Sequence, residues 1–165
     1  MKNIRYNKIL ISGASGVGKT TLAKKVSEIY NIPFVSTSSK DIWPKYGFKK
    51  HEDVIKCAML SPYKAIKYQW DLVNYRNKIL MGKETFVTDR SYLDNLVYFL
   101  LQNSPYIGSD NFLRFVEHTK RRQDDIKIGC KNGDDKILQI FLSITNKMVI
   151  DNFLEVDGKR LNNIY

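Results

Sequence analysis

Residues Gly13-Ala14-Ser15-Gly16-Val17-Gly18-Lys19-Thr20 fill the pattern G-x-x-x-x-G-K-[ST]. A short apolar run, Lys8 to Ser12, precedes them, and a helical one, Leu22 to Val26, follows. Strand, glycine-rich turn and helix N-terminus in that order make a phosphate-binding loop. Gly13, Gly16 and Gly18 let the backbone curl so that its N–H groups converge on an anion. The helix behind them adds the positive end of its dipole. Residues Gly13, Ala14, Ser15, Gly16, Val17, Gly18, Lys19, Thr20 and Thr21 are therefore expected to cradle a nucleoside triphosphate. Lys19 would reach the β- and γ-phosphates, and the Thr20 hydroxyl would hold Mg²⁺. ATP and Mg²⁺ are the cofactors this implies.

A second constellation lies at Thr85-Phe86-Val87-Thr88-Asp89-Arg90-Ser91-Tyr92-Leu93-Asp94, an apolar strand ending in an acid and an arginine. Asp89 there can hold Mg²⁺ through water or take the proton of an attacking hydroxyl. It can also simply cap the helix that follows. Arg90 can make a bidentate contact to phosphate or clamp an acceptor. Asp94, one helical turn beyond Arg90, is placed to orient that arginine.

The elements that position these groups alternate along the chain. Strands are expected at Ile9 to Ser12, Phe34 to Ser36, Thr85 to Thr88, Ile126 to Gly129 and near Leu154 to Val156. Helices are expected at Thr20 to Tyr30, His51 to Leu60, Tyr63 to Met81, Tyr92 to Gln102, Asp110 to Arg122 and Lys136 to Phe153. Pro62 forces the break between the second and third helices, and Gly82 closes the third. Asn103-Ser104-Pro105 separates the next two. Strands divided by helices argue for an α/β fold with a parallel sheet covered on both faces. A ligand then sits beyond the C-terminal ends of the strands, where the glycine loop and Asp89 both fall.

The 165 residues fit one domain, residues 1–165, with 43% hydrophobic content. No stretch is long and apolar enough to span a bilayer. The N-terminal residues run into the first strand without a signal-peptide layout. Cys57 and Cys130 form no metal-spaced cluster, which suits a reduced setting. A cytoplasmic location is the expectation, and the abundance of Lys, Asn and Ile, a coding bias common in AT-rich phage genomes, would make it a host's cytoplasm. The net charge of +10 would attract ATP, nucleotides or a nucleic acid. A lysine-rich surface that serves solubility alone has the same signature.

Taken together, Gly13 to Thr20 and Thr88-Asp89-Arg90-Ser91 resemble the P-loop kinases of the nucleoside and nucleotide kinase group. The likeness is to thymidylate-kinase-like and deoxynucleoside-kinase-like proteins and to small, often phage-encoded AAA-type kinases. It spans residues from about 8 to 100 and extends to the rest in outline. It implies a three-layer P-loop NTPase fold, with a parallel five-stranded sheet of order 2-3-1-4-5, an acceptor-binding insertion at about 37–83 and a lid at about 130–135. It also implies an ATP-dependent phosphotransferase whose catalytic residues are Lys19, Asp89 and Arg90, with Thr20 and Asp89 at the metal. In the deoxynucleoside-kinase pattern a carboxylate just after strand two acts as base. Asp41 is the nearest match, and a solvated loop acid is the other reading. Such kinases use the helix at Tyr63 to Met81 to grip the acceptor. Gln69 and Arg76, seven apart on one face, would do this alongside Arg90, or would form a polar stripe on a surface helix. The expected lid contains no arginine, so Arg114, Lys120, Arg121 or Arg122 would have to supply charge, unless they are only an exposed basic helix end.

The acceptor itself is left open. Trp43 and Tyr46 could stack a base in one snug pocket, with a free nucleoside or nucleotide as substrate. Alternatively, Lys40, Lys45, Lys49 and Lys50 interleaved with aromatics suit a polynucleotide, as in phosphorylation of a hydroxymethylated pyrimidine (such as 5-hydroxymethyluracil) in phage DNA. The aromatics could also pack the loop onto the domain while the lysines stay solvated. A regulatory ATPase with water as acceptor is a third class, although no glutamine or arginine is identifiably placed to orient that water.

Overall fold

The computed structural model describes residues 6–128 and 137–142. Three parallel strands, β1 (Lys8–Gly13), β2 (Phe86–Thr88) and β3 (Ile137–Leu142), lie in the order β2-β1-β3. Lys8 pairs with Phe86 on one side and with Ile137 on the other. Beyond β2, Phe34 forms a single parallel bridge to Val87, and Val35 N–H donates to the Val87 carbonyl at 2.8 Å. The expected second strand is therefore one bridge long, but it takes the outer place foreseen for it.

Helices cover both faces, because the strands alternate their apolar side chains. Ile9 and Ile11 of β1, with Val87 of β2 and Leu138, Ile140 and Leu142 of β3, pack with Ala23 and Leu22 of α1 (Lys19–Tyr30). Leu10 and Phe86 point the other way, toward α4 (Pro62–Leu80), α5 (Tyr92–Asn103) and α6 (Ser109–Ile128), through Val73, Leu80, Phe99, Phe115 and Ile126. Lys8 follows the same alternation, and its ammonium hydrogen-bonds the Ile126 carbonyl in α6. A smaller cluster, with Trp43, Tyr46 and Phe48 among its members, joins α2 (Trp43–Tyr46) and α3 (His51–Leu60) to the N-terminal half of α4.

Two expectations are corrected. Ile126 to Gly129 is not strand four: Ile126 to Ile128 are the last turn of α6, and Ile126 is fully buried at the helical spacing of Phe115 and Thr119. The fourth place in the sheet belongs to Ile137–Leu142, which was expected to begin a helix. The described residues thus hold three strands and the Phe34 bridge rather than five strands. The lid at about 130–135, the rest of the helix to Phe153 and the strand near Leu154 to Val156 lie outside them.

β3 also explains Gly13. Its φ is +148°, and a Cβ built there would sit 2.6 Å from the Leu142 carbonyl oxygen. Gly13→Ala is expected to cost about 1–3 kcal/mol through backbone strain and the pushed-back strand. Urea unfolding measures it, and an unchanged midpoint would mean that β3 does not approach this closely.

Candidate active site

β1 and β2 are neighbours, so their C-terminal ends place the glycine loop beside Asp89 and Arg90. Gly16 and Gly18 take φ of +79° and +87°, a left-handed backbone that curls the loop back to the start of α1. Gly18 caps α1 with no side-chain hydrogen bond, and the first turn carries no acid. The leading N–H groups of that helix thus have no competing side chain, which is how an anion site is left open. The buried Lys19 ammonium donates to the Gly13 carbonyl at 2.8 Å and to that of Ala14. Burial lowers its pKa and the Arg90 charge adds to this, while Asp94 and Asp89 oppose.

The Thr20 hydroxyl donates to Asp89 Oδ2 at 2.5 Å. A hydroxyl and one carboxylate are hard oxygen donors of the kind Mg²⁺ uses together with substrate phosphates. Among the described residues no group of three or more His, Cys, Asp or Glu is placed to hold a metal. The helix-cap reading of Asp89 gives way, because other residues cap α5. Ser91 Oγ accepts from Leu93 N–H at 3.1 Å, and Asp94 Oδ2 accepts from Ser91 N–H at 2.8 Å. Asp94 Oδ1 reaches Gly13 N–H at 3.2 Å and so ties the loop to α5. Its observed bonds go to the loop and the cap, not to Arg90. Behind them the Ser12 and Ser91 hydroxyls share a hydrogen bond, and the Gln139 amide donates to both, at 3.4 and 3.2 Å.

Next to this centre a cleft opens between α4 and α5. Tyr68, Gln69, Leu72 and Arg76 form its α4 wall, and Asp94, Asn95, Tyr98 and Gln102 its α5 wall. Ser15 of the loop and Arg90 border it as well. A second, wider hollow lies along α1 and the end of β3, with Val17, Thr20, Thr21 and Leu142 among its lining, so the phosphate loop separates two concavities.

Gln69 and Arg76 are not a surface stripe. They belong to the buried series Ala65, Tyr68, Gln69, Leu72, Val73, Arg76, Asn77 and Leu80 that α4 turns inward at helical spacing. The Arg76 guanidinium donates to Thr37 Oγ1 at 3.2 Å, to the Ser91 carbonyl at 2.8 Å and to Asn95 Oδ1. Burial brings its pKa down to about 10, with Asp94 opposing and Arg90 reinforcing the fall. The Gln69 amide donates to Gln102 Oε1 at 2.6 Å.

Other expected residues stay outside the cleft lining. Asp41 is exposed and accepts the Tyr75 hydroxyl at 2.7 Å. Burial and that carboxylate push the Tyr75 pKa up to about 12. Trp43 is buried in the satellite cluster, its indole N–H donating to Tyr68 Oη at 3.1 Å and its ring edge-on to His51. Tyr46 and Phe48 stack on each other in the same cluster. Lys40, Lys45 and Lys64 lie over the Trp43, Tyr46 and Phe48 rings, at 5.9, 5.8 and 5.6 Å, and Lys45 pairs with Asp71 at 2.5 Å. The insertion aromatics thus pack the loop, as one of the sequence readings had it. On α6, Arg122 pairs with Asp125 at 2.9 Å, and the exposed Arg121 lies 3.8 Å from Glu117. Neither these nor Arg114 or Lys120 line the cleft.

Sequence reasoning missed the α5 wall. Its signal was present in Asp94, Asn95, Tyr98 and Gln102, a polar stripe at helical spacing on an otherwise apolar helix. Among the described residues no helix is long and apolar enough to cross a membrane.

No curated protein matches the chain. Among solved structures it is similar to three shikimate kinases. The one from Acinetobacter baumannii, in complex with shikimate, is 11% identical over 94% of this chain and 96% of that one, with a TM-score of 0.36. The one from Bacteroides thetaiotaomicron is 11% identical over 90% and 94%, at 0.38. The Aquifex aeolicus enzyme is 16% identical over 93% and 98%, at 0.35. Likenesses this faint say nothing of a substrate. The family model for the AAA domain matches residues 8–124, which carry the phosphate loop, both walls of the cleft and Asp89, and the chain belongs to that family.

Proposed function

We propose that this protein is an ATP- and Mg²⁺-dependent kinase that transfers the γ-phosphoryl group to a nucleoside or nucleotide held between α4 and α5. One observation carries the reading: Asp89 holds the Thr20 hydroxyl of the phosphate loop, and the next residue, Arg90, lines the cleft together with Ser15 of that loop. A hydrolase acting on water has no use for such an acceptor chamber.

The residues divide the work by position. The loop amides and the uncapped start of α1 bind the phosphate chain. Lys19 leaves the Gly13 and Ala14 carbonyls for the phosphates and spreads its charge over them. Thr20 and Asp89 would hold Mg²⁺, which when bound neutralises charge on the phosphate oxygens. Arg90 faces both the loop lysine and the cleft, where it can bridge donor and acceptor. Asp94 fixes the first loop amide, so the cradle is set before ligand arrives. Catalysis of this kind is mainly positioning and charge stabilisation.

Labelled ATP offered with Mg²⁺ against nucleosides, their monophosphates, and plain and hydroxymethylated DNA tests the proposal. Transfer to a free nucleoside or nucleotide is the expected result. ATP turnover at one rate whatever the acceptor would point to a regulatory ATPase, and label in DNA alone would move the acceptor off this cleft.

A further inference from the structure

We propose that the group attacking ATP is a phosphate oxygen, which makes the acceptor a nucleoside monophosphate rather than a nucleoside or another neutral alcohol. The inference rests on the kinase reading above and goes to the chemistry of the cleft.

The cleft offers hydrogen-bond donors and positive charge, with no carboxylate left over. Arg76 and Arg90 both line it. Asp94 is the one acid among its lining residues, and its two oxygens already accept from Gly13 and Ser91 N–H. Arg90 Nη1 and Asn95 Nδ2 are buried without a hydrogen-bond partner. The Asn95 amide cannot turn over to cure this, because its Oδ1 takes the Arg76 guanidinium, which only donates. Buried donors left unpaired are costly, and a ligand rich in acceptors relieves them. A phosphate monoester brings three such oxygens and the opposite charge. On the α4 side, the buried Gln69 Oε1 is also unpartnered. It asks for a donor, which the N–H groups of a nucleobase provide.

The lack of a free carboxylate base points the same way. A neutral hydroxyl attacks well only when a positioned base takes its proton, an effect of roughly 10²–10⁴-fold. Asp89 is engaged with Thr20 on the metal side, Asp41 is exposed, bonded to Tyr75 and outside the cleft lining, and His51, the imidazole in that lining, is held edge-on to Trp43. A phosphate monoester loses its second proton at about pH 6, so its oxygen is already ionised at neutrality. That oxygen forms a bond to the γ-phosphorus as the bond from this phosphorus to the β,γ-bridging oxygen breaks. The dianionic acceptor and the tetra-anionic ATP give two trianionic diphosphates, and no proton has to move.

The full chain, labelled ATP and Mg²⁺ are assayed against each nucleoside paired with its 5′-monophosphate. Label is expected in a diphosphate, with the matching nucleoside slower by roughly 10²-fold or more. Arg90→Gln should raise the acceptor KM by roughly tenfold or more. Asn95→Asp keeps an oxygen for Arg76, and therefore the fold, while placing a negative charge beside the bound phosphate. It should raise the monophosphate KM by at least about tenfold. A nucleoside preferred over its monophosphate, or an Asn95→Asp enzyme with an unaltered monophosphate KM, overturns the inference and leaves the kinase reading standing. Transfer to no acceptor by a protein that binds ATP ends both.

Discussion

Lys19→Ala is expected to abolish phosphoryl transfer, lowering turnover by roughly 10³-fold or more, because a charge aimed at the transferring group has no substitute nearby. Arg90 is a cation coupled to Lys19, but it lines the cleft between α4 and α5, and no other lysine belongs to the loop. The variant should fold normally. The native chain buries the Lys19 ammonium on two loop carbonyls, and burial together with Arg90 lowers its pKa. A base whose folded pKa is lowered costs stability while it is held charged, and the cost fades as pH rises toward the ordinary lysine range. Removing it should therefore leave the melting temperature at neutral pH the same or slightly higher. Turnover with labelled ATP, ATP titration by calorimetry and thermal unfolding together separate these effects. Near-normal turnover would show that the loop is not where transfer occurs.

How far the sequence could be read follows from how local each signal is. The phosphate loop and Asp89-Arg90 are written in consecutive residues, so their types and order carry the geometry. The helix at His51–Leu60 was bounded correctly because Pro62 allowed no continuation. The two errors about strand four are errors of period in short apolar runs. Ile126-Lys127-Ile128 looks β-branched and strand-like in isolation, and only the longer series Phe112, Phe115, Thr119, Ile126 shows the helical repeat. In Ile137–Leu142 the alternation is present: Leu138, Ile140 and Leu142 face α1, while Gln139 faces Ser12 and Ser91. The cleft was less legible still. Gln69 and Asn95 acquire meaning only when α4 is laid against α5, a tertiary fact no local pattern contains. Asp41 and Trp43 were placed near the acceptor by analogy of position, and the folding of the insertion onto Tyr68 and Tyr75 takes both out of the cleft lining.

Asp89→Asn should reduce turnover by roughly 10²–10³-fold, far more than it weakens ATP binding. The amide oxygen can still accept the Thr20 hydroxyl, so the local geometry survives the change and what disappears is the negative charge. That charge has two uses here. In the proposed reaction it would hold Mg²⁺ together with Thr20, and it offsets the positive group formed by Lys19, Arg76 and Arg90, whose mutual coupling Asp89 and Asp94 oppose. ATP affinity rests mainly on the loop amides, which the substitution leaves in place, so the loss belongs to the step in which charge shifts to the leaving oxygen. The Mg²⁺ concentration for half-maximal rate should rise with it, and a magnesium titration of the variant measures this directly. An unchanged rate and an unchanged magnesium requirement would reduce Asp89 to an anchor for Thr20, and the metal would then have to be held elsewhere.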